Sequence, residues 1–159
     1  MAVPVKLSDI IDSISFQTDE ASYYLNRETG DVIFVTDQEF GAAEEENDSL
    51  KELYGLEDEQ IAIANDILAD DLQQKYIPLP GKFDIHEYGI IEQFCLSIGD
   101  KDISDSLCRT IKGRGAFRRF KDAIYQHGVA GDWYEYRDNA MKSIAMDWCK
   151  ENAIEYTED

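Results

Sequence analysis

The stretch ASYYLNRETGDVIFVTD, residues 21–37, decides the fold class. Tyr23, Tyr24 and Leu25, then Val32, Ile33, Phe34 and Val35, are aromatic or β-branched runs parted by NRETGD. Gly30 can take the positive φ that a four- or five-residue hairpin loop needs. This is the only strong hairpin signal in the chain, and on both sides of it the apolar period turns helical. Before it, Leu7, Ile10, Ile11 and Ile14 predict a short amphipathic helix from residue 5 to about 15.

After the hairpin, residues 37–59 carry ten acids and one lysine, a net of −9 over 23 residues. This acidic segment reads as a solvated, mobile loop or a poorly packed helix. Ile61, Ala64, Leu68 and Leu72 then follow a helical line from near Asp58, and the prolines of YIPLPG end it. Everything beyond is helical. Asp84 is placed to cap a helix carrying Ile85, Tyr88, Ile91, Phe94, Cys95 and Ile98, with Glu87 completing a capping box. Further helices are expected from about Asp102 to Gly113, from Gly115 to Gly128, and from Gly131 or Asp132 to about Asn152. The predicted architecture is α+β and mostly helical: one β-hairpin near the N-terminus, with room for an extra edge strand, packed against about six helices.

Composition agrees with one domain, residues 1–159, containing the acidic segment at 37–59. The 159 residues include 34 acidic and 15 basic ones, a net of −19, yet 43% are hydrophobic. That apolar content is too high for a disordered polyanion. No run of 18 uncharged apolar residues occurs, and MAVPVKLSDIID lacks the basic-then-apolar layout of a signal peptide. A soluble cytoplasmic protein with no membrane contact is the expectation. Cys95, Cys108 and Cys149 are odd in number and form no CxxC pair, so they read as reduced core thiols. His86 and His127 offer no zinc-ligand spacing, and neither a metal nor a cofactor is expected.

The most unusual segment is RTIKGRGAFRRFK, residues 109–121. Arg109, Lys112, Arg114, Arg118, Arg119 and Lys121 make it +6 with no acid, against nine bases and 34 acids elsewhere, a remainder of −25. Gly113 and Gly115 flank Arg114 just before a helix start, where free N–H groups and the helix dipole attract anions. The candidate anion-binding residues are therefore Gly113, Arg114, Gly115, Arg118, Arg119, Lys121 and Arg137. The spacing is not that of a Walker loop, and a helix rather than a strand precedes it. At about 100° per residue, Ala116, Phe117, Phe120, Ala123, Ile124 and His127 share one face, Arg119 and Lys121 flank it, and Arg118 lies opposite. The plainer reading is that these bases neutralise the chain's own acids, with Arg118 and Asp122 as an i, i+4 pair. Nucleic acid is disfavoured, because a polyanion within a Debye length meets the surrounding negative charge unless the basic patch is spatially segregated.

The second candidate is DWYEYRDNAMKSIAMDW, residues 132–148. Trp133, Ala140, Met141, Ile144 and Trp148 form an apolar face, and Arg137 falls about 40° from Trp133, in its middle. A guanidinium there must pair with a carboxylate or carbonyls, stack on a tryptophan, or line a pocket for an anion. Trp133 and Tyr134 are candidate binding-surface residues. Catalytic residues are not assigned: a pair of Cys95 or Cys108 with His127 has no activating motif, and carboxylates such as Asp70, Asp71 and Glu44 to Glu46 are too common here to inform.

The strings YLNRETGDV, IIEQF, IKGRGAFRRFKDAI and DWYEYRDNAMKSIAMDW resemble the bacterial Uncharacterised Protein Family 0158, in the family's order, from the first helix to about Ile154. The resemblance implies no activity, because that family has none established. It rests most on Gly113, Gly115, Ala116, Phe117, Arg118, Arg119, Phe120, Lys121, Trp133, Tyr134, Arg137 and Asp138. The reading for function is a non-enzymatic intracellular binding or interaction module with a strongly acidic surface and a protein partner. Two alternatives stay open: an anion-site protein or enzyme acting on a phosphorylated or carboxylated small molecule through the arginine cluster, and a nucleic-acid charge mimic binding a basic protein.

Overall fold

The computed structural model describes residues 3–45 and 48–158. Glu46, counted above in the acidic run, lies outside them, as does Asn47. The fold is α+β and mostly helical, and it divides into two compact units. Unit 1 comprises Met1–Asp84 and Ala145–Asp159, and unit 2 comprises Ile85–Ile144.

Unit 1 is built on the hairpin. Strands β2 (Ala21–Asn26) and β3 (Val32–Thr36) pair antiparallel from Ala21 opposite Thr36 to Leu25 opposite Val32. The loop closes through the Asn26 N–H to the Asp31 carbonyl (2.9 Å) and the Gly30 N–H to the Asn26 carbonyl (2.8 Å), with Gly30 at φ 76°. YIPLPG does not end the preceding helix, which stops at Ala69: its β4 (Tyr76–Pro78) joins β2 on the other edge, giving the order β3-β2-β4. An edge strand tolerates Pro78 because its missing donor is not needed by a further neighbour. The Pro78 carbonyl accepts the Trp148 indole N–H at 3.2 Å. At the N-terminus, β1 (Val5–Lys6) takes the first two residues of the expected helix and pairs in parallel with β5 (Tyr156–Thr157). Helix α1 (Leu7–Ser15) then buries Leu7, Ile10 and Ile14.

The acidic segment is helical. Helix α2 (Asp37–Glu45) opens with a reciprocal cap: Thr36 Oγ1 accepts the Glu39 N–H (3.2 Å), and Glu39 Oε1 accepts the Thr36 N–H (2.9 Å). Charge counting misses this pattern and the small face of Ala42 and Ala43, both buried. Val35, Ala43 and Ala64 form a core against Phe40, Ile61, Ile63 and Ile67. Helix α3 (Asp48–Tyr54) follows, then α4 (Asp58–Ala69). Leu68 and Leu72, expected on the buried line of α4, are exposed. The Asp70 carboxylate accepts the N–H groups of Gln74, Lys75 and Tyr76, which ends the helix before Leu72 can join it.

Helix α5 (Lys82–Ile85) is one turn, in which Asp84 Oδ2 accepts the Gly81 N–H. Asp84 is therefore no cap for the next helix. Unit 2 holds α6 (Glu87–Ser97), α7 (Lys101–Thr110), α8 (Ala116–Gln126) and residues 130–144 of α9 (Ala130–Glu151). His86, at φ 52°, stands at the N-cap of α6, and Asp100 caps α7 by accepting from Asp102 and Ile103 N–H. Phe94, Phe120 and Trp133 meet edge to face with centroids 5.0–6.2 Å apart, and Tyr136 packs on Phe94 at 5.4 Å. Contacts of this kind add roughly 0.5–1.5 kcal/mol per pair beyond the burial of area.

Charge divides sharply. Nine acids and nine bases lie at 85–144, so unit 2 is neutral and unit 1 carries the entire −19.

Candidate functional site

The basic segment spans the end of α7, a turn at 111–115 and the first two turns of α8. Buried Ile111 anchors the turn, whose carbonyls face the usual difficulty of a helix C-terminus, where the last acceptors have no partners in the helix. Arg119 resolves it. Its Nε donates to the Thr110 carbonyl at 3.0 Å, Nη2 to Lys112 at 2.5 Å, and Nη1 to Arg114. The Tyr88 hydroxyl donates to the Ile111 carbonyl at 3.0 Å. Gly113 and Gly115 turn the chain at φ 84° and 74°. A Cβ at Gly115 would stand 3.2 Å from Arg119 Nη1, so the glycine admits the guanidinium as well as the turn.

On α8, Ala116, Phe120, Ala123 and Ile124 are buried. Phe117, expected with them, is 54% exposed. It lies about 100° from Ala116, just beyond the buried arc, where its ring makes only an edge contact with Tyr88 (6.4 Å). Tyr125 is 60% exposed, and its hydroxyl lies 3.0 Å from that of Tyr134, itself exposed on α9. Arg109, Lys112, Arg114, Arg118 and Lys121 are all exposed and, among the described residues, form no ion pair. The expected Arg118–Asp122 pair is absent.

Two candidates leave the proposed surface. Trp133 is 6% exposed at the centre of the aromatic core, because its face of α9 packs on Phe94 and Phe120. Arg137 donates from Nε to Glu87 Oε1 at 3.0 Å, with its side chain 22% exposed. It ties α9 to α6 as a paired arginine. Arg118, Arg119 and Arg137 thus do not converge on one pocket.

A shallow hollow of about 360 Å³ lies along α6 and α9, with Ile90, Tyr136 and Ala140 at its apolar side and His86, Glu92 and Gln93 at its polar side. None of the residues selected from the sequence lines it. The only signal toward it in the sequence was the apolar face of α6, which reads as core.

Nucleophile chemistry finds no support. Burial pushes the Cys95 thiol up to about 12 and the Cys149 thiol up to about 11, so both stay protonated. His127 Nε2 meets Ser106 Oγ at 3.2 Å rather than a thiol, and among the described residues no second group orients the ring as a serine nucleophile requires. Among the described residues no group of three His, Cys, Asp or Glu could hold a metal ion, and no helix is long and apolar enough to cross a membrane.

A model of the Uncharacterised protein family UPF0158 matches residues 2–159. The UPF0158 protein PA5073 of Pseudomonas aeruginosa is 22% identical over 148 residues, covering 91% of this chain and 83% of the relative. No solved structure matches. With the family match spanning all but one residue of the sequence, the chain belongs to the Uncharacterised protein family UPF0158.

Proposed function

We propose that the protein is a non-enzymatic, cytoplasmic binding module that engages a protein partner through the outer face of α8. The observation that carries this reading is the set of five exposed cations at 109–121 that form no ion pair among the described residues, in a chain with more than twice as many acids as bases. Bases placed to neutralise the chain's own acids would be paired with them. Three free thiols fit a reducing compartment. The small-anion reading loses Arg119 to backbone carbonyls and Arg137 to Glu87.

A thermal melt of the full chain at low salt tests the proposal, with polyglutamate and inorganic phosphate as probes. Polyglutamate should raise the midpoint by several degrees when present at about 100 times its dissociation constant, and the gain should vanish in Arg118→Glu/Lys121→Glu. Phosphate should do nothing at millimolar concentration. A phosphate shift lost in the same variant would favour the anion-site alternative instead.

A second reading has one observation in its favour. The concentration of −19 in unit 1 suits a basic partner, as a nucleic-acid charge mimic would. It predicts a salt-sensitive complex with a basic nucleic-acid-binding protein that the Arg118→Glu/Lys121→Glu variant leaves intact.

A further inference from the structure

The outer face of α8 is more than basic. Phe117, Lys121 and Tyr125 stand at i, i+4 and i+8, so they form one row about 12 Å long with a cation between two rings. Arg118 borders that row one residue from Phe117 and three from Lys121. Both rings are more than half exposed, and each end is widened by a second aromatic: Tyr88 beside Phe117 and Tyr134 beside Tyr125. Monomeric proteins seldom leave four such rings exposed on one small unit without a use.

Resting on the binding-module reading above, we infer that this row receives a short acidic–apolar segment of a partner protein, one that presents apolar, acidic and apolar side chains in succession. Charge complementarity sets the middle position: a carboxylate facing Lys121 and Arg118 meets two cations that form no ion pair among the described residues. The flanking rings set the other two, since burying half-exposed aromatic area against apolar side chains is favourable at both ends. Spacing agrees. Each step of the row is about 6 Å, close to the roughly 6.6–6.8 Å between successive same-side residues of an extended strand.

A single-stranded nucleic acid could also use rings and cations. It is the poorer occupant, because its charge continues past a 12 Å row into a unit that carries nine acids and three bases outside the basic segment. A peptide of a few carboxylates ends where the row ends.

The test is fluorescence anisotropy with the full chain and three labelled probes. One is a decapeptide containing Leu-Glu-Glu-Glu-Leu, the second has Ser in place of both Leu, and the third is a 12-nucleotide oligothymidylate. The leucine peptide should bind at least tenfold more tightly than the serine peptide. Phe117→Ser/Tyr125→Ser should abolish that preference, Tyr125→Ser alone should reduce it, and Arg118→Glu/Lys121→Glu should weaken both peptides at least tenfold. Equal binding of the two peptides, no binding of either, or tighter binding of the oligonucleotide would overturn the inference. If polyglutamate stabilises the chain while the two peptides bind alike, the module reading survives without this partner. If polyglutamate also has no effect, both fall.

Discussion

Arg119 on α8 donates from Nε to the carbonyl of Thr110, the last residue of α7, across 3.0 Å, and so spends its charge on its own backbone. Arg118, one residue and about 100° away, is exposed and forms no ion pair among the described residues. Two adjacent arginines therefore have different tasks, and substitutions should separate them. Arg119→Lys replaces a three-nitrogen fork by a point charge that cannot reach three carbonyls, and should cost about 1–2 kcal/mol. Arg118→Ala should stay within about 0.5 kcal/mol. Urea midpoints give both values; equal losses would remove the distinction.

The glycines of the same turn provide a second contrast. Gly113→Ala and Gly115→Ala each force an L side chain into the left-handed region, at about 1–2 kcal/mol. Only Gly115→Ala also presses a Cβ against Arg119 Nη1, whereas nothing lies within 4 Å of a Cβ at Gly113. The Gly115 variant should unfold at the lower urea concentration. The reverse order would mean that Arg119 is not what the turn is built around.

Thiol reactivity follows from burial. With Cys95 held at about 12 and Cys149 at about 11, neither forms thiolate at pH 8 in the folded chain. Half-buried Cys108 is the remaining candidate. Ellman titration of the native protein should show at most one fast thiol, lost in Cys108→Ser, and three after denaturation. Two or more fast thiols in the native state would contradict the placement of these helices.

Asp70 gives a pH dependence. The Tyr76 N–H, with those of Lys75 and Gln74, holds its carboxyl below the ordinary carboxylate range. A lowered folded-state value contributes stability that is complete above the unfolded pKa of about 3.9 and disappears as the pH falls through the folded value. Asp70→Ala should melt below the parent at pH 7, and the gap should narrow as pH drops from about 4 toward 2. A gap that widens on acidification would reverse the sign and refute the assignment.

The hairpin and helices α1, α4, α6, α7, α8 and α9 are legible because each has a clean period or a turn residue that leaves little choice. Helices α2, α3 and α5 are not. In α2 the charge of 37–59 hid the Thr36–Glu39 cap, and a strand as short as β4 cannot outweigh its proline without knowledge of the neighbour it pairs with. At the site, the sequence located the segment but not its division of labour. Helical phase put Phe117 in the core and left Arg119 free. The structure exposes the first and ties the second, because the guanidinium bends back past the start of α8 to carbonyls that periodicity does not see. The sequence offers Trp133 and Tyr134 together as surface residues, yet adjacent positions on a helix differ by about 100° and only one of the two faces outward.

If the outer face of α8 is the part of this protein that meets a partner, two-dimensional ¹⁵N NMR of the full chain, titrated with polyglutamate at low salt, will show it. Shifts should concentrate at Phe117, Arg118, Lys121 and Tyr125, with the amides of residues 37–69 unmoved. Shifts confined to other parts of the chain, or none at saturating polyglutamate, would contradict it.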